Sequence, residues 1–374
     1  MKQLIYADNA ATTKLDKHAF EKMLPWLRDE YANASQPYSF ARKTRKAVNE
    51  ARETIAVAIN ALPEEIYFTS GGTESDNWVI KGSECSKLNN REIITSSIEH
   101  HAIINACTAI EAKGDTVVYL PSSKTGVITP ESLKENISDN TNLVSVMFSN
   151  NEIGTIEPIK ELAEIVHEYD ALFHTDAVQA IGHVPIDVQL LGVDMLSASA
   201  HKFNGPKGVG FLYIRKGTVI KPLIDGGLQE SGRRAGTENV AGIVGMASAL
   251  SENCKRMEEN AGHIKLLENK LLELISELNF IRNGDINHVP GNLSLSFKGA
   301  DGETLLHRMD LKGICISTGS ACDSVNTQIS HVIKAIGIPN EYAKGTIRIS
   351  LGKDNTLEEI NQIAAALISI LKRG

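Results

Sequence analysis

Short apolar blocks alternate along this chain with segments of helical period. Continuous runs rich in β-branched residues predict strands at Ile66–Thr69, Glu92–Thr95, Thr116–Leu120, Leu143–Phe148, Leu172–Thr175, Met195–Ala198 and Val209–Ile214. Amphipathic stretches lie between several of them, such as Ile159–Tyr169, with Ile159, Leu162, Ile165 and Val166 at helical spacing. Strands separated by helix-length segments predict βαβ units and a mainly parallel sheet. One return is expected to be antiparallel, because the loop joining Met195–Ala198 to Val209–Ile214 is too short for a crossover helix. Beyond about residue 255 the pattern changes. A long amphipathic helix is expected at Ala261–Leu278, then strands at Asn292–Phe297, Ile314–Ser317 and Thr346–Leu351, then a closing helix at Leu357–Leu371. A second, smaller α+β domain fits that order.

At roughly 150 residues per domain, the 374 residues predict two domains. Lys and Arg total 38 against 46 Asp and Glu, a net charge of −8, which argues against direct nucleic-acid binding. No apolar run approaches the ~20 residues of a membrane span, and no signal core follows Lys2. The five cysteines (Cys85, Cys107, Cys254, Cys315 and Cys322) form no CxxC pair and no ligand spacing with histidine. A protein of a reducing compartment, cytoplasmic and without a zinc site, is expected, with a thiol free for chemistry.

Several stretches carry candidate chemistry. In Thr69–Asn77, two glycines at the start of a helix can cradle a phosphate on free backbone N–H groups, with the Thr73 hydroxyl beside them; an ordinary capped helix start reads the same way. Asp176, in His174–Gln179, ends an apolar strand and so faces the crevice where open α/β sheets bind ligands, or else caps the next helix. Lys202 leaves a strand of small residues into a Gly/Pro loop; burial would make it a nucleophile, and solvent would leave it inert. Cys322 sits among small, flexible residues in Ser317–Ser324, unlike the other four cysteines, whose patterns predict packing. Strand alternation sends Arg348 opposite to Ile347 and Ile349, where a guanidinium suits bidentate grip of a carboxylate or a surface ion pair. His100 follows a strand and can stack on a flat ring, move protons, or serve structure alone.

Together these residues resemble the cysteine desulfurases, enzymes that depend on pyridoxal 5′-phosphate (PLP). The matching stretches are Tyr6–Thr13, Ser70–Asn77, Glu99-His100, Ser149–Gly154, His174–Gln179, Ser199–Lys202, Gly232–Asn239, Gly319–Cys322 and Ile347–Gly352, in the family's order over nearly the whole chain. The resemblance implies an aspartate-aminotransferase-like PLP fold of type I. A large, mainly parallel seven-stranded α/β domain would cover residues 15–255. A smaller α+β domain would combine residues 1–14 and 256–374 and carry the cysteine loop.

It also implies roles. Lys202 would carry PLP, Asp176 would pair with the pyridine nitrogen, and His100 would stack on the ring. Gln179 and Asn151 would lie near the ring oxygen, and Asn151 would also touch substrate. Thr73, Ser199 and His201, with the amides of Gly71 and Gly72, would bind the phosphate; Thr237 would reach it from the second subunit of a homodimer. Arg348 would hold the carboxylate of L-cysteine, and Cys322 would take its sulfur as a persulfide, leaving L-alanine, for a sulfur-acceptor protein. The Ser-Ala-Cys context resembles the class whose cysteine loop is long. Asp323 stands where a small hydroxyl residue is common and is expected to raise the thiol pKa. The chain ends soon after its last expected helix, so the C-terminal extension that engages an iron–sulfur scaffold is expected to be absent. Iron–sulfur assembly, tRNA thiolation and DNA phosphorothioation then all stay open as destinations. Rival readings are a selenocysteine lyase or cysteine C–S lyase, which needs no persulfide, an aminotransferase, and a PLP-binding assembly protein without turnover.

Overall fold

The computed structural model describes residues 4–83, 91–319 and 329–372. Strand β1 (Ile5–Tyr6) opens the described chain. Seven strands follow: β2 (Ile66–Thr69), β3 (Glu92–Ser96), β4 (Thr116–Leu120), β5 (Thr141–Ser145), β6 (Leu172–Asp176), β7 (Met195–Ser199) and β8 (Gly210–Ile214). They form one sheet in the order β2-β8-β7-β6-β5-β3-β4. Neighbours from β7 to β4 run parallel, whereas β8 is antiparallel to both β7 and β2. The expected antiparallel return is therefore present, and β2 points the same way as β7. Strands β2, β7 and β8 are buried along their whole length, as sheets covered on both faces require.

The helices cover the faces: α1 (Lys17–Arg28), α2 (Ala41–Ala58), α3 (Gly72–Gly82) and α4 (His101–Glu111) belong to the first part of the chain. Helix α3 starts directly after β2, and α4 four residues beyond β3. Their N-termini thus lie at the carboxyl ends of the strands, where open α/β sheets place ligands.

The later strands are β9 (Phe280–Asn283), β10 (Asn292–Phe297), β11 (Ile314–Cys315) and β12 (Thr346–Ser350). Strands β12, β10 and β9 form an antiparallel sheet, and β1 pairs in parallel with β11. One apolar cluster joins Ile5 and Ala7 to Ile264, Leu271, Leu295, Ile347 and Leu367. The start of the chain is thereby built into the core of its final third.

Three elements show instructive departures from the sequence pattern. The run expected at Leu143–Phe148 is a strand at Thr141–Ser145: Val146–Phe148 is buried and apolar but leaves the ladder. The expected Ala261–Leu278 helix spans Met257–Leu274, beginning on Glu258 and Glu259, which favour a helix N-terminus, and leaving Leu278 to pack from the following turn. The Ile314–Ser317 strand shortens to Ile314–Cys315, and Ser317 instead bridges to Arg348.

Candidate active site

A cleft of about 570 Å³ opens at the carboxyl ends of β2, β6 and β7. Eleven of the residues singled out in the sequence line it: Gly71, Gly72, Thr73, His100, Asn151, Asp176, Gln179, Ser199, His201, Lys202 and Arg348.

One end is built for an anion. Gly71 takes a φ of 148°, open to glycine but strained for other residues, and turns β2 into α3. A Cβ on Gly72 would lie 2.6 Å from Val178 Cγ2, and one on Gly71 would lie 3.3 Å from Ser199 Oγ. The glycines thus let the turn press against Val178 and Ser199. The first-turn amides of α3 have no carbonyl within the helix, and the dipole adds partial positive charge. The Thr73 and Ser199 hydroxyls, the His201 ring and Lys207 complete the lining at this end. His201 Nδ1 lies 3.1 Å from Thr12 Oγ1; burial first, then Lys202 and Lys207, lower its pKa to about 4.

The floor is acidic. Asp176, the last residue of β6, accepts the Val178 N–H at 2.9 Å. Beside it Asp76, also buried, has no hydrogen-bond partner at Oδ1 among the described residues. Burial, then repulsion from Asp176, pushes Asp76 well above the carboxylate range. Asp176 is also raised by burial, but the Val178 N–H and the charge of Lys202 oppose the shift. Of the pair, Asp76 is therefore the one whose ionised form is held back more strongly, and Asp176 the one that its neighbours help to keep charged. His174, beneath them, bonds Ser145 Oγ at 2.9 Å and Ser197 Oγ at 3.0 Å, and burial lowers its pKa to about 3. It is a neutral spacer, not a counter-ion.

Lys202 closes the short helical turn after β7. Its ammonium donates to the carbonyls of Ala10 at 2.5 Å and Ala11 at 3.0 Å, and its own carbonyl accepts from His183 Nε2 at 2.8 Å. Gln179 Nε2 donates to Ala10 O at 2.9 Å.

On the opposite wall His100 caps α4, its Nδ1 accepting the Ala102 N–H at 3.1 Å. Its proton therefore sits on Nε2. Burial, then the charges of Lys202, His101 and His331, lower its pKa to about 4, so the ring is neutral. Arg348, in the middle of β12, is 4% exposed. It donates from Nη1 to the Asn151 carbonyl at 2.8 Å and pairs from Nη2 with Asp8 Oδ1 at 2.7 Å. The surface ion pair that the sequence allowed is thus a buried one.

Thr237 is exposed and does not line the cleft of its own chain. Cys322, Asp323 and Cys85 lie outside the described residues, although Gly319, just before them, lines the cleft. Cys107 is buried and Cys254 and Cys315 half-buried, as their patterns predicted; burial raises each thiol, that of Cys107 to about 12. Residues not singled out from the sequence also build the site: Asp8, the Ala10 and Ala11 carbonyls, Asp76, Glu99 and Met147. Asp8, Asp76 and Glu99 stand inside the matched stretches, which was the available signal. Asp76, His100 and Asp176 bring ligand atoms within 4.8 Å of one another. All three line the same cleft as Lys202.

The donor set fits PLP. An amine, a buried carboxylate able to face a ring nitrogen, and a glycine-built anion cradle line one cavity. The family described as Aminotransferase class-V matches residues 5–363. The cysteine desulfurase IscS of Dictyoglomus turgidum is 47% identical over 378 residues, covering 100% of this chain and 96% of its own. Among solved structures, a NifS-like protein superposes with a TM-score of 0.94 at 39% identity, over 100% of both chains. SspA in complex with cysteine gives 0.84 at 36%, over 94% of this chain and 100% of its own. The chain belongs to the class-V aminotransferase family, whose fold and cofactor cleft it carries. It is a PLP-dependent cysteine desulfurase.

Proposed function

We propose that this chain takes the sulfur of L-cysteine onto Cys322 as a persulfide, releases L-alanine, and hands the sulfur to an acceptor protein. The observation that carries this reading is the convergence of Lys202, Asp176, His100 and Arg348 on one cleft whose wall includes Gly319, three residues before Cys322. A solved relative, SspA, holds cysteine.

PLP, when bound, supplies an electron sink that eases proton loss from the amino-acid α-carbon and cleavage of the carbon–sulfur bond. Lys202 would hold it covalently, Asp176 would face its ring nitrogen, and His100, Gln179 and Asn151 would border the ring. Thr73, Ser199, His201 and the Gly72 amide would hold its phosphate. Arg348 would bind the carboxylate of L-cysteine. The Lys202 amine is the nearby base for the α-proton, and neutral His100 holds a proton at Nε2 that it can lend to a leaving group. Cys322, as thiolate, would attack the substrate sulfur, forming the S–S bond as the carbon–sulfur bond breaks; the electron pair of that bond stays on the substrate's β-carbon, which takes a proton to become the methyl group of alanine.

The catalytic unit on this reading is a homodimer, divided within each chain into a large domain (15–255) and a small one (1–14 with 256–374). Phe20, Leu24 and Leu27 share one face of α1 and are 44–63% exposed, with Tyr31 at 80% beyond the helix. A partner would cover this face, and exposed Thr237 would then serve the partner's phosphate site. None of the described helices is long and apolar enough to cross a membrane. Three free cysteines among the described residues suit a reducing, cytoplasmic setting.

Alanine and sulfide release from L-cysteine with a reductant tests the reading. Wild type is expected to release alanine, and Cys322→Ser to lose it while still binding PLP. Equal turnover in both would mean a lyase that makes no persulfide.

A further inference from the structure

We propose that Asp8 is the positioning residue for substrate recognition: it holds the Arg348 guanidinium from behind, with one edge left for the carboxylate of the amino acid. The inference rests on Arg348 being the carboxylate-binding residue.

Arg348 has five N–H donors in a rigid fork. Asp8 Oδ1 takes Nη2 at 2.7 Å and the Asn151 carbonyl takes Nη1 at 2.8 Å. Nε is buried, so the donors left for a ligand are the second N–H of Nη1 and the second N–H of Nη2. A carboxylate accepting two parallel N–H bonds is what a guanidinium edge matches best. Arg348 lines the cleft and Asp8 does not, so the acid approaches from the side away from substrate.

Asp8 is itself held on a firm frame. Its backbone bridges Ser350, two residues beyond Arg348 on β12, and its carbonyl accepts the Tyr6 hydroxyl at 3.0 Å. The Arg348 backbone is fixed in turn by exchange with Ser317, at 2.7 and 3.0 Å. Carboxylate and guanidinium therefore ride on two backbone segments bridged to each other, and their geometry is set before substrate arrives. Such preorganisation should appear in substrate affinity and spare the chemical step.

The experiment uses the PLP-loaded enzyme with L-cysteine and with cysteamine, which lacks the carboxylate and whose binding is read from the cofactor's absorbance. Asp8→Ala is expected to raise KM for L-cysteine about tenfold, with kcat within about threefold and cysteamine affinity unmoved. Asp8→Asn, which keeps the acceptor oxygen, recovers most of the loss. A lower KM in Asp8→Ala would overturn the proposal by making Asp8 a competitor for Arg348. Equal losses for both ligands would overturn it by making the role merely structural. If Asp8→Ala does not fold, Asp8→Glu keeps the charge but displaces it by a methylene, and the same selective rise in KM is expected. Arg348→Lys is the control: if it leaves KM for L-cysteine unchanged, Arg348 does not bind the carboxylate and the role of Asp8 falls with it, whereas a rise in KM for Arg348→Lys with none for Asp8→Ala would overturn the role of Asp8 alone.

Discussion

Lys202 and Gln179 donate to the same acceptor, the Ala10 carbonyl, at 2.5 and 2.9 Å. The first residues of the chain thus meet the lysine directly. They are anchored on both sides: Ala10 N–H donates to Ser350 Oγ at 2.9 Å, and Thr13 Oγ1 donates to the His201 carbonyl at 2.9 Å. An ammonium held by two carbonyls is aimed by backbone rather than by flexible side chains.

The first prediction concerns that amine. Lys202→Ala is expected to lose turnover and to lose cofactor that borohydride can fix to the chain. Wild type should retain about one fixed cofactor per chain, since a lysine imine is the only attachment reduction locks. Mass measurement of the intact reduced chain decides it. Fixed cofactor in Lys202→Ala would assign the attachment to another lysine.

The anion cradle makes a second prediction. A methyl group on Gly72 would stand 2.6 Å from Val178 Cγ2, so in Gly72→Ala either the Val178 side chain or the α3 N-terminus must shift. Overpacking of this kind costs about 1–3 kcal/mol. Cofactor affinity is expected to fall roughly tenfold or more, and Val178→Ala in the same chain should restore part of it. Equilibrium dialysis of PLP against the single and double variants measures the coupling. Additive losses would place the damage elsewhere.

How far the sequence reveals this site follows from what each residue depends on. Asp176 and Lys202 stand at ends of apolar strands, and alternation with helices orders those strands, so their location could be read in one dimension. Asp76 and Asp8 act through contacts across elements: Asp76 lies against Asp176 from another strand–helix unit, and Asp8 meets Arg348 about 340 positions away. No period encodes such proximity. The misplaced end of β5 has a related cause, since Val146–Phe148 stays buried after the ladder stops and hydropathy records burial, not pairing. Thr237 could be named only from resemblance, because the role proposed for it needs a second chain.

Glu99, next to His100, predicts an unusual pH response. Burial, then the charge of Asp176, raises its pKa from 4.5 to about 8, against the bonds it accepts from Ser96 Oγ at 2.6 Å and Met147 N–H at 2.9 Å. Between those values the folded chain keeps a proton that the unfolded chain has released. The contribution of Glu99 to stability is therefore largest below pH 4.5 and declines as pH rises toward 8. His100 acts in the other direction: its pKa falls from 6.5 to about 4, so its penalty grows as pH drops through that window. Glu99→Gln keeps an acceptor oxygen and removes the titration. Its stability relative to wild type should rise between pH 5 and 8, by on the order of 3 kcal/mol. Denaturant midpoints at the two pH values test this, and parallel pH curves would show that Glu99 is ionised in the folded chain.

The proposed homodimer makes the last prediction, through the exposed position of Thr237. Lys202→Ala removes the amine of its own site. Thr237→Glu puts negative charge beside a phosphate, which repels it, and if Thr237 acts across the interface it damages only the partner's site. Each homodimer is then expected to be inactive. In a mixed dimer, the site with intact Lys202 receives intact Thr237 from the Lys202→Ala chain, while the other site carries both lesions. Unfolding and refolding the two variants together should return activity approaching half that of wild type per mixed dimer. If Thr237 served its own chain, every site in the mixed dimer would carry one lesion and mixing would restore nothing. Joining the chains as a tandem fusion checks the result without subunit exchange. The apolar face of α1 supplies a companion test, since Leu24→Asp with Leu27→Asp should lower the mass in solution to that of one chain and abolish complementation, as burying two carboxylates in an apolar interface is costly.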